Sequence, residues 1–97
     1  NLIKLPKMPD KTNNHVWHLY TILCEKRDEL QKYLHDHHIQ TIIHYPIPIH
    51  QQNSYRQLRD LNLPITTKIH NQTLSLPLYP ELADDKINKI VEVINKF

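Results

Sequence analysis

His15-Val16-Trp17-His18-Leu19-Tyr20-Thr21-Ile22-Leu23-Cys24 is rich in β-branched and aromatic side chains and carries the strongest strand signal in the chain. One face of such a strand holds Trp17, Leu19, Thr21 and Leu23; the other holds Val16, His18, Tyr20 and Ile22. A strand with one wet face alternates more cleanly, so both faces are expected to be at least partly covered. A chain of 97 residues covers one face with its own helices. The second face is expected to meet a partner or a further domain.

Downstream, residues 26–37 read as a helix. Leu30, Tyr33, Leu34 and His37 recur at the spacings that line one helix face. Asp28 and Glu29 suit its N-terminus, and the histidines suit its C-terminus. Residues 39–45, Ile-Gln-Thr-Ile-Ile-His-Tyr, read as a second strand that Pro46 and Pro48 end. A short helix is expected over 51–60, with Tyr55, Leu58 and Leu61 at usable spacing. Pro64 sits at a first helical position, with Ile65, Ile69 and Thr73 facing inward. Leu74–Leu78 reads as a strand. The last helix runs from about Ala83 to the C-terminus, with Ile87, Ile90, Val91, Ile94 and Phe97 as one apolar stripe. Upstream, residues 1–14 hold Pro6, Pro9, Asn13 and Asn14 among lysines and read as an extended or mobile lead-in of linker type. This order of elements makes an α+β domain with three strands in a small sheet and helices on one face.

Composition narrows the chemistry. The chain has no glycine at all, which excludes P-loops, dinucleotide fingerprints, nucleophile elbows and EF-hand loops. A hydrophobic share of 39% and a charged share of 23% fit one soluble globular domain. A net charge of +2 is too balanced to argue for nucleic acid or an anionic membrane. Cys24 is the one cysteine, so no internal disulfide forms. No apolar run approaches the roughly 18 residues of a membrane helix, and no signal-peptide pattern opens the chain. It begins with Asn1 rather than Met, as a processed product or a piece of a longer polypeptide would.

Four groups of side chains are candidates for chemistry. Eight histidines include His35, His37 and His38 around Asp36. His35 and His38 have helical metal-ligand spacing, but no second pair completes a tetrahedral set, and exposed histidines at a helix end explain them better. His44-Tyr45-Pro46-Ile47-Pro48-Ile49-His50 is the densest polar-aromatic cluster and leaves a strand end, where sites are usually built. Its residue types fit a ligand-contacting loop and a rigid structural turn with a packed tyrosine equally well. Nothing in the sequence fixes a base beside Cys24, which reads as a structural thiol, and Ser54 and Ser75 lack any elbow context. The lysines all lie in polar contexts that would not depress an amine pKa for Schiff-base chemistry.

Three stretches resemble the C-terminal part of the sugar-nucleotide aminotransferases of the DegT/DnrJ/StrS type. They are His15-Val16-Trp17-His18-Leu19-Tyr20, the run from Ile39-Gln40-Thr41 through His44-Tyr45-Pro46-Ile47-Pro48-Ile49-His50, and Leu74-Ser75-Leu76-Pro77-Leu78-Tyr79-Pro80-Glu81-Leu82. Order and spacing match from about His15 to Phe97. The resemblance implies that residues 15–97 are the small C-terminal domain of an aspartate-aminotransferase-fold enzyme, with a mainly antiparallel three-stranded sheet. It implies pyridoxal phosphate as cofactor of the parent, glutamate as amino donor, and a keto-deoxysugar on a nucleotide diphosphate, usually dTDP, as acceptor. It also implies a homodimer in the cytoplasm, serving surface polysaccharide or lipopolysaccharide synthesis. The family's Schiff-base lysine, the acid on the pyridine nitrogen and the phosphate-binding loop belong to the large domain, which is absent here. No catalytic, cofactor-binding or metal-binding residue is therefore expected in this chain, and it is expected to be inactive alone. By carry-over, His44, Tyr45 and His50 would bind the nucleotide sugar by hydrogen bonds. His38 stands where the family commonly has Gly, and Ala83 where a Thr or Ser cap is common. Two other readings are a free-standing non-catalytic α+β module that binds a ligand or partner, and a His-rich metal-binding domain.

Overall fold

A computed structural model of the chain describes residues 2–10 and 15–97. The elements are β1 (Ile3–Lys4), β2 (Tyr20–Cys24), α1 (Arg27–Asp36), two 3-10 turns (Ile49–Gln51 and Asn53–Leu58), α2 (Pro64–Gln72), β3 (Thr73–Leu76) and α3 (Asp84–Asn95). The sheet order is β1-β2-β3, with both pairings antiparallel. The fold is thus α+β around a three-stranded antiparallel sheet.

Strand alternation sorts the two faces of the sheet. Ile22 opposes Leu74 across β2 and β3, and both are fully buried. Cys24 lies on the same face. These three, with Leu30 and Leu34 of α1, Ile39 and Val93 of α3, make the core. The opposite face carries Thr21 beside Ser75 and Leu23 beside Thr73. Thr73 and Ser75 are also buried, so both faces are covered, as the mixed pattern of β2 suggested. The Arg27 guanidinium donates to the carbonyls of His70 and Thr73, tying α1 to the junction of α2 and β3. No helix among the described residues is long and apolar enough to cross a membrane.

The third strand is not the one read from the sequence. Residues 39–45 contribute only a bridge, Ile42 to Ser75. The Ile39 N–H is still spent on closing α1, at 2.9 Å from the Leu34 carbonyl, and the prolines at 46 and 48 leave too little chain for a ladder. The sheet's third strand is Ile3–Lys4, paired with Leu23 and Cys24. The start of the lead-in is therefore part of the sheet; Asn1 and residues 11–14 lie outside the described residues. The first strand begins at Tyr20 rather than His15, because β1 and β3 pair only with Tyr20–Cys24. Ahead of it, Trp17 stacks between His15 and Tyr20, with ring centroids 4.2 and 5.4 Å apart.

The helices depart in detail as well. The segment over 51–60 forms 3-10 turns, interrupted at Tyr55 (φ −122°, ψ 43°). Pro64 does open α2, but Ile65 is 75% exposed and Ile69 is exposed, so that helix buries no apolar stripe; Thr73 is buried as part of β3. In α3, Ile90 and Ile94 pack against the core with Val93 buried beside them, as does Phe97 just beyond the helix, while Ile87 and Val91 stand exposed.

α1 ends as the spacing suggested. The His38 N–H bonds the His35 carbonyl and the Ile39 N–H bonds the Leu34 carbonyl, both at 2.9 Å, which is the Schellman pattern. Ile39 and Leu34 complete it by meeting in the core. The motif places His38 at φ 61°, a left-handed conformation that costs a residue with a Cβ about 1–2 kcal/mol. Replacing His38 by glycine is expected to raise the unfolding free energy by about 0.5–1 kcal/mol, after glycine's greater entropy loss. The urea midpoint reads this, and an unchanged or lower midpoint contradicts it. At the other end of the chain, Ala83 caps α3 without a side-chain hydrogen bond, and Asp84 and Asp85 lie in the first turn, facing the helix dipole. Ala83→Ser should add about 1 kcal/mol by supplying the missing acceptor. A melting temperature that does not rise would show that the N–H groups are already satisfied.

Candidate functional site

Ser75 organises the polar face of the sheet. Its backbone pairs with Thr21 on one side and bridges Ile42 on the other, through Ser75 N–H to Ile42 O at 2.8 Å and Ile42 N–H to Ser75 O at 3.2 Å. The chain then runs two residues to His44. Its Nδ1 lies 2.9 Å from Ser75 Oγ, which in turn lies 3.4 Å from Thr21 Oγ1. His44 is half-buried and its ring meets the Tyr45 ring edge-on at 5.4 Å. The peptide between these two residues is cis. Tyr45 is 65% exposed, so it does not pack beneath the turn, and its carbonyl accepts from His70 Nδ1–H of α2. His50 is only 4% exposed within the first 3-10 turn.

The three expected contact residues are thus split. His44 and Tyr45 stand together, whereas His50 is buried. A groove of about 660 Å³ with a mixed, mainly apolar lining lies between α1 and the segment after it, where His44, Ser75, Gln31 and Lys32 stand among Leu19 and Ile39. Tyr45 and His50 do not line it. Lys32 bonds Asp36 at 2.6 Å and holds that carboxyl below the ordinary carboxylate range; both groups are exposed, so the pair is solvent-screened. The sequence offers no role for Thr21 or His70, and it gives Ser75 no partner, whereas the fold sets His44 Nδ1 2.9 Å from the Ser75 hydroxyl. Ser75 and Thr21 are ordinary strand residues in sequence, and only their cross-strand register gives them a role.

The arrangement suits hydrogen bonding rather than bond-making. Ser75 is a buried hydroxyl beside an imidazole, but among the described residues no carboxylate is hydrogen-bonded to His44 to complete a nucleophilic relay. Cys24 is buried in the apolar core. Every lysine among the described residues is exposed, so none has the desolvated setting that Schiff-base chemistry needs. Among the described residues, no three His, Cys, Asp or Glu side chains converge as metal ligands.

A second groove, of about 750 Å³, is apolar. It runs between α3 and the β1 and β3 side of the sheet, lined by Leu5, Leu78, Leu82, Ile87 and Val91 among others. Its walls expose the half of the α3 stripe that the core leaves uncovered.

The sequence matches the model of the DegT/DnrJ/EryC1/StrS aminotransferase family over residues 1–95. It is 38% identical over 95 residues to a dTDP-3-amino-3,6-dideoxy-alpha-D-galactopyranose transaminase of Aneurinibacillus thermoaerophilus, covering 98% of this chain and 26% of that protein. The structure superposes on DesV of S. venezuelae, solved with a ketimine intermediate, at a TM-score of 0.89 and 33% identity, covering 99% of this chain and 26% of that one. It also superposes on NtdA of Bacillus subtilis, solved with bound PMP, at a TM-score of 0.82 and 32% identity, covering 98% of this chain and 22% of that one. The chain therefore spans about a quarter of the relatives it matches. Its sheet, its helices and nearly all of its sequence follow theirs, and it belongs to the DegT/DnrJ/EryC1/StrS aminotransferase family.

Proposed function

We propose that this chain is the C-terminal small domain of a pyridoxal-phosphate aminotransferase that moves an amino group from glutamate to a keto-deoxysugar on a nucleotide diphosphate, dTDP foremost. The observation that carries the reading is the near-complete match of this chain to about a quarter of sugar transaminases, in a chain with no desolvated lysine among its described residues. The cofactor, which lets an amino group pass between two carbonyl carbons, binds in the large domain; the relative solved with bound PMP supports its presence in the parent. No residue of this chain is assigned to it. The large domain covers the apolar groove, and the parent works as a cytoplasmic homodimer in surface polysaccharide or lipopolysaccharide synthesis.

The domain's contribution is to hold the nucleotide sugar. His44 offers an imidazole N–H and Tyr45 a phenol, both suited to sugar and phosphate oxygens. His50 supports the turn from its buried position and reaches substrate only if the turn opens on assembly. The test is expression of the complete reading frame that holds this chain, assayed with pyridoxal phosphate, glutamate and a dTDP-keto-deoxysugar. The complete polypeptide should form amino sugar and 2-oxoglutarate, and the 97-residue chain alone should form neither. His44→Ala, which leaves no donor, should raise KM for the nucleotide sugar about tenfold, the size of one lost hydrogen bond to a charged oxygen. Activity in the isolated chain, or none in the complete polypeptide with any nucleotide sugar, contradicts the reading.

A further inference from the structure

We propose that Ser75 is a positioning residue for His44: it donates its hydroxyl proton to Nδ1, keeps the ring's own proton on Nε2, and so leaves Nε2–H as the free donor of a residue that lines the groove beside α1. The consequence for substrate rests on the function proposed above, whereas the geometry does not.

Burial forces the hydroxyl to find partners. Ser75 is 4% exposed, and a buried hydroxyl left unpaired is costly. Two side-chain partners are in reach, His44 Nδ1 at 2.9 Å and Thr21 Oγ1 at 3.4 Å. A serine hydroxyl gives one proton and accepts others. With Thr21 donating to Ser75 and Ser75 donating to Nδ1, each group in the chain is used in one direction. Among the described residues, the hydrogen-bond partner of Nδ1 is the Ser75 hydroxyl and not a carboxylate that would draw the ring proton to that side. A neutral imidazole whose Nδ1 accepts must carry its proton on Nε2. Such a donor complements a diphosphate, whose oxygens only accept.

The same residue fixes where the ring sits. Ser75 is held in register by Thr21, and its two backbone bonds hold Ile42, two positions before His44. Backbone and side chain of one residue thus set both the approach of the chain and the rotation of the ring. Hydrogen bonds to the second imidazole nitrogen are what select a tautomer.

The test is nitrogen-15 NMR of the complete polypeptide, labelled at histidine, at a pH above the imidazole range, with His44 assigned through His44→Gln. The wild type should show His44 as the Nε2–H tautomer alone. Ser75→Ala should relax it to a mixture and raise KM for the nucleotide sugar about fivefold, with kcat within about twofold. Ser75→Thr, which keeps the hydroxyl, should restore the single tautomer. An Nδ1–H tautomer in the wild type, or an unchanged tautomer in Ser75→Ala, overturns the proposal. Where a Ser75 variant fails to fold, an Nδ1–H tautomer in the wild type still overturns the proposal. The expected tautomer with KM unmoved in His44→Ala supports the positioning role and counts instead against the function proposed above.

Discussion

The antiparallel pairing of Tyr20–Leu23 with Thr73–Leu76 joins segments about fifty residues apart and sets both faces of the domain at once. On one face it brings Ile22 against Leu74, the seat of the core, where each fully buried aliphatic side chain contributes about 1.5–3 kcal/mol. On the other it brings Thr21 against Ser75, the seat of the polar cluster. A slip of one residue in this register would exchange the faces, burying hydroxyls in the core and lifting Ile22 and Leu74 out of it. Everything else is attached to this pair: α1 and α3 cover its apolar face, β1 extends one edge, and Ile42 bridges the other through Ser75.

The core built on that pair is small, and much apolar surface stays outside it. Seven hydrophobic residues are buried, while Leu78, Ile87 and Val91 are each more than 40% exposed along a single groove. The radius of gyration is 15.5 Å, against about 13 Å for a compact domain of this length. A contiguous apolar groove of this kind marks an interaction surface rather than a surface evolved to face water. In a family whose other members are about four times as long, the rest of the polypeptide is the natural cover. Under the proposed function the two grooves divide the labour: the one along α3 would hold the domain in place, and the one beside α1 would hold His44 toward ligand.

Elements fixed by local chemistry were legible in the sequence. The Leu30–Leu34 spacing placed α1 and Pro64 placed the start of α2; the family resemblance, which puts glycine where His38 stands, agrees with the φ of 61° found there. Elements fixed by distant partners were not. Ile39–Tyr45 has strand composition, yet only Ile42 finds a pairing partner, whereas the unremarkable Ile3 and Lys4 do form a strand. The α3 stripe was visible, but periodicity does not say which half of a broad apolar face meets this core and which half meets something else. The candidate site divides the same way. His44 and Tyr45 stood out by residue type, while Ser75 became relevant only through a cross-strand register that no local pattern encodes.

The central claim, that this domain is completed by the rest of its polypeptide across the apolar groove, is tested most directly by thiol labelling. Cys24 is 1% exposed and should stay silent, so Val91→Cys, at a position now 51% exposed, provides a single reporter. The account predicts rapid maleimide labelling of Val91→Cys in the isolated chain and labelling at least about tenfold slower in the complete polypeptide, the protection expected of a covered interface. Equal labelling rates in the two would show that the groove faces solvent in both and would contradict the claim.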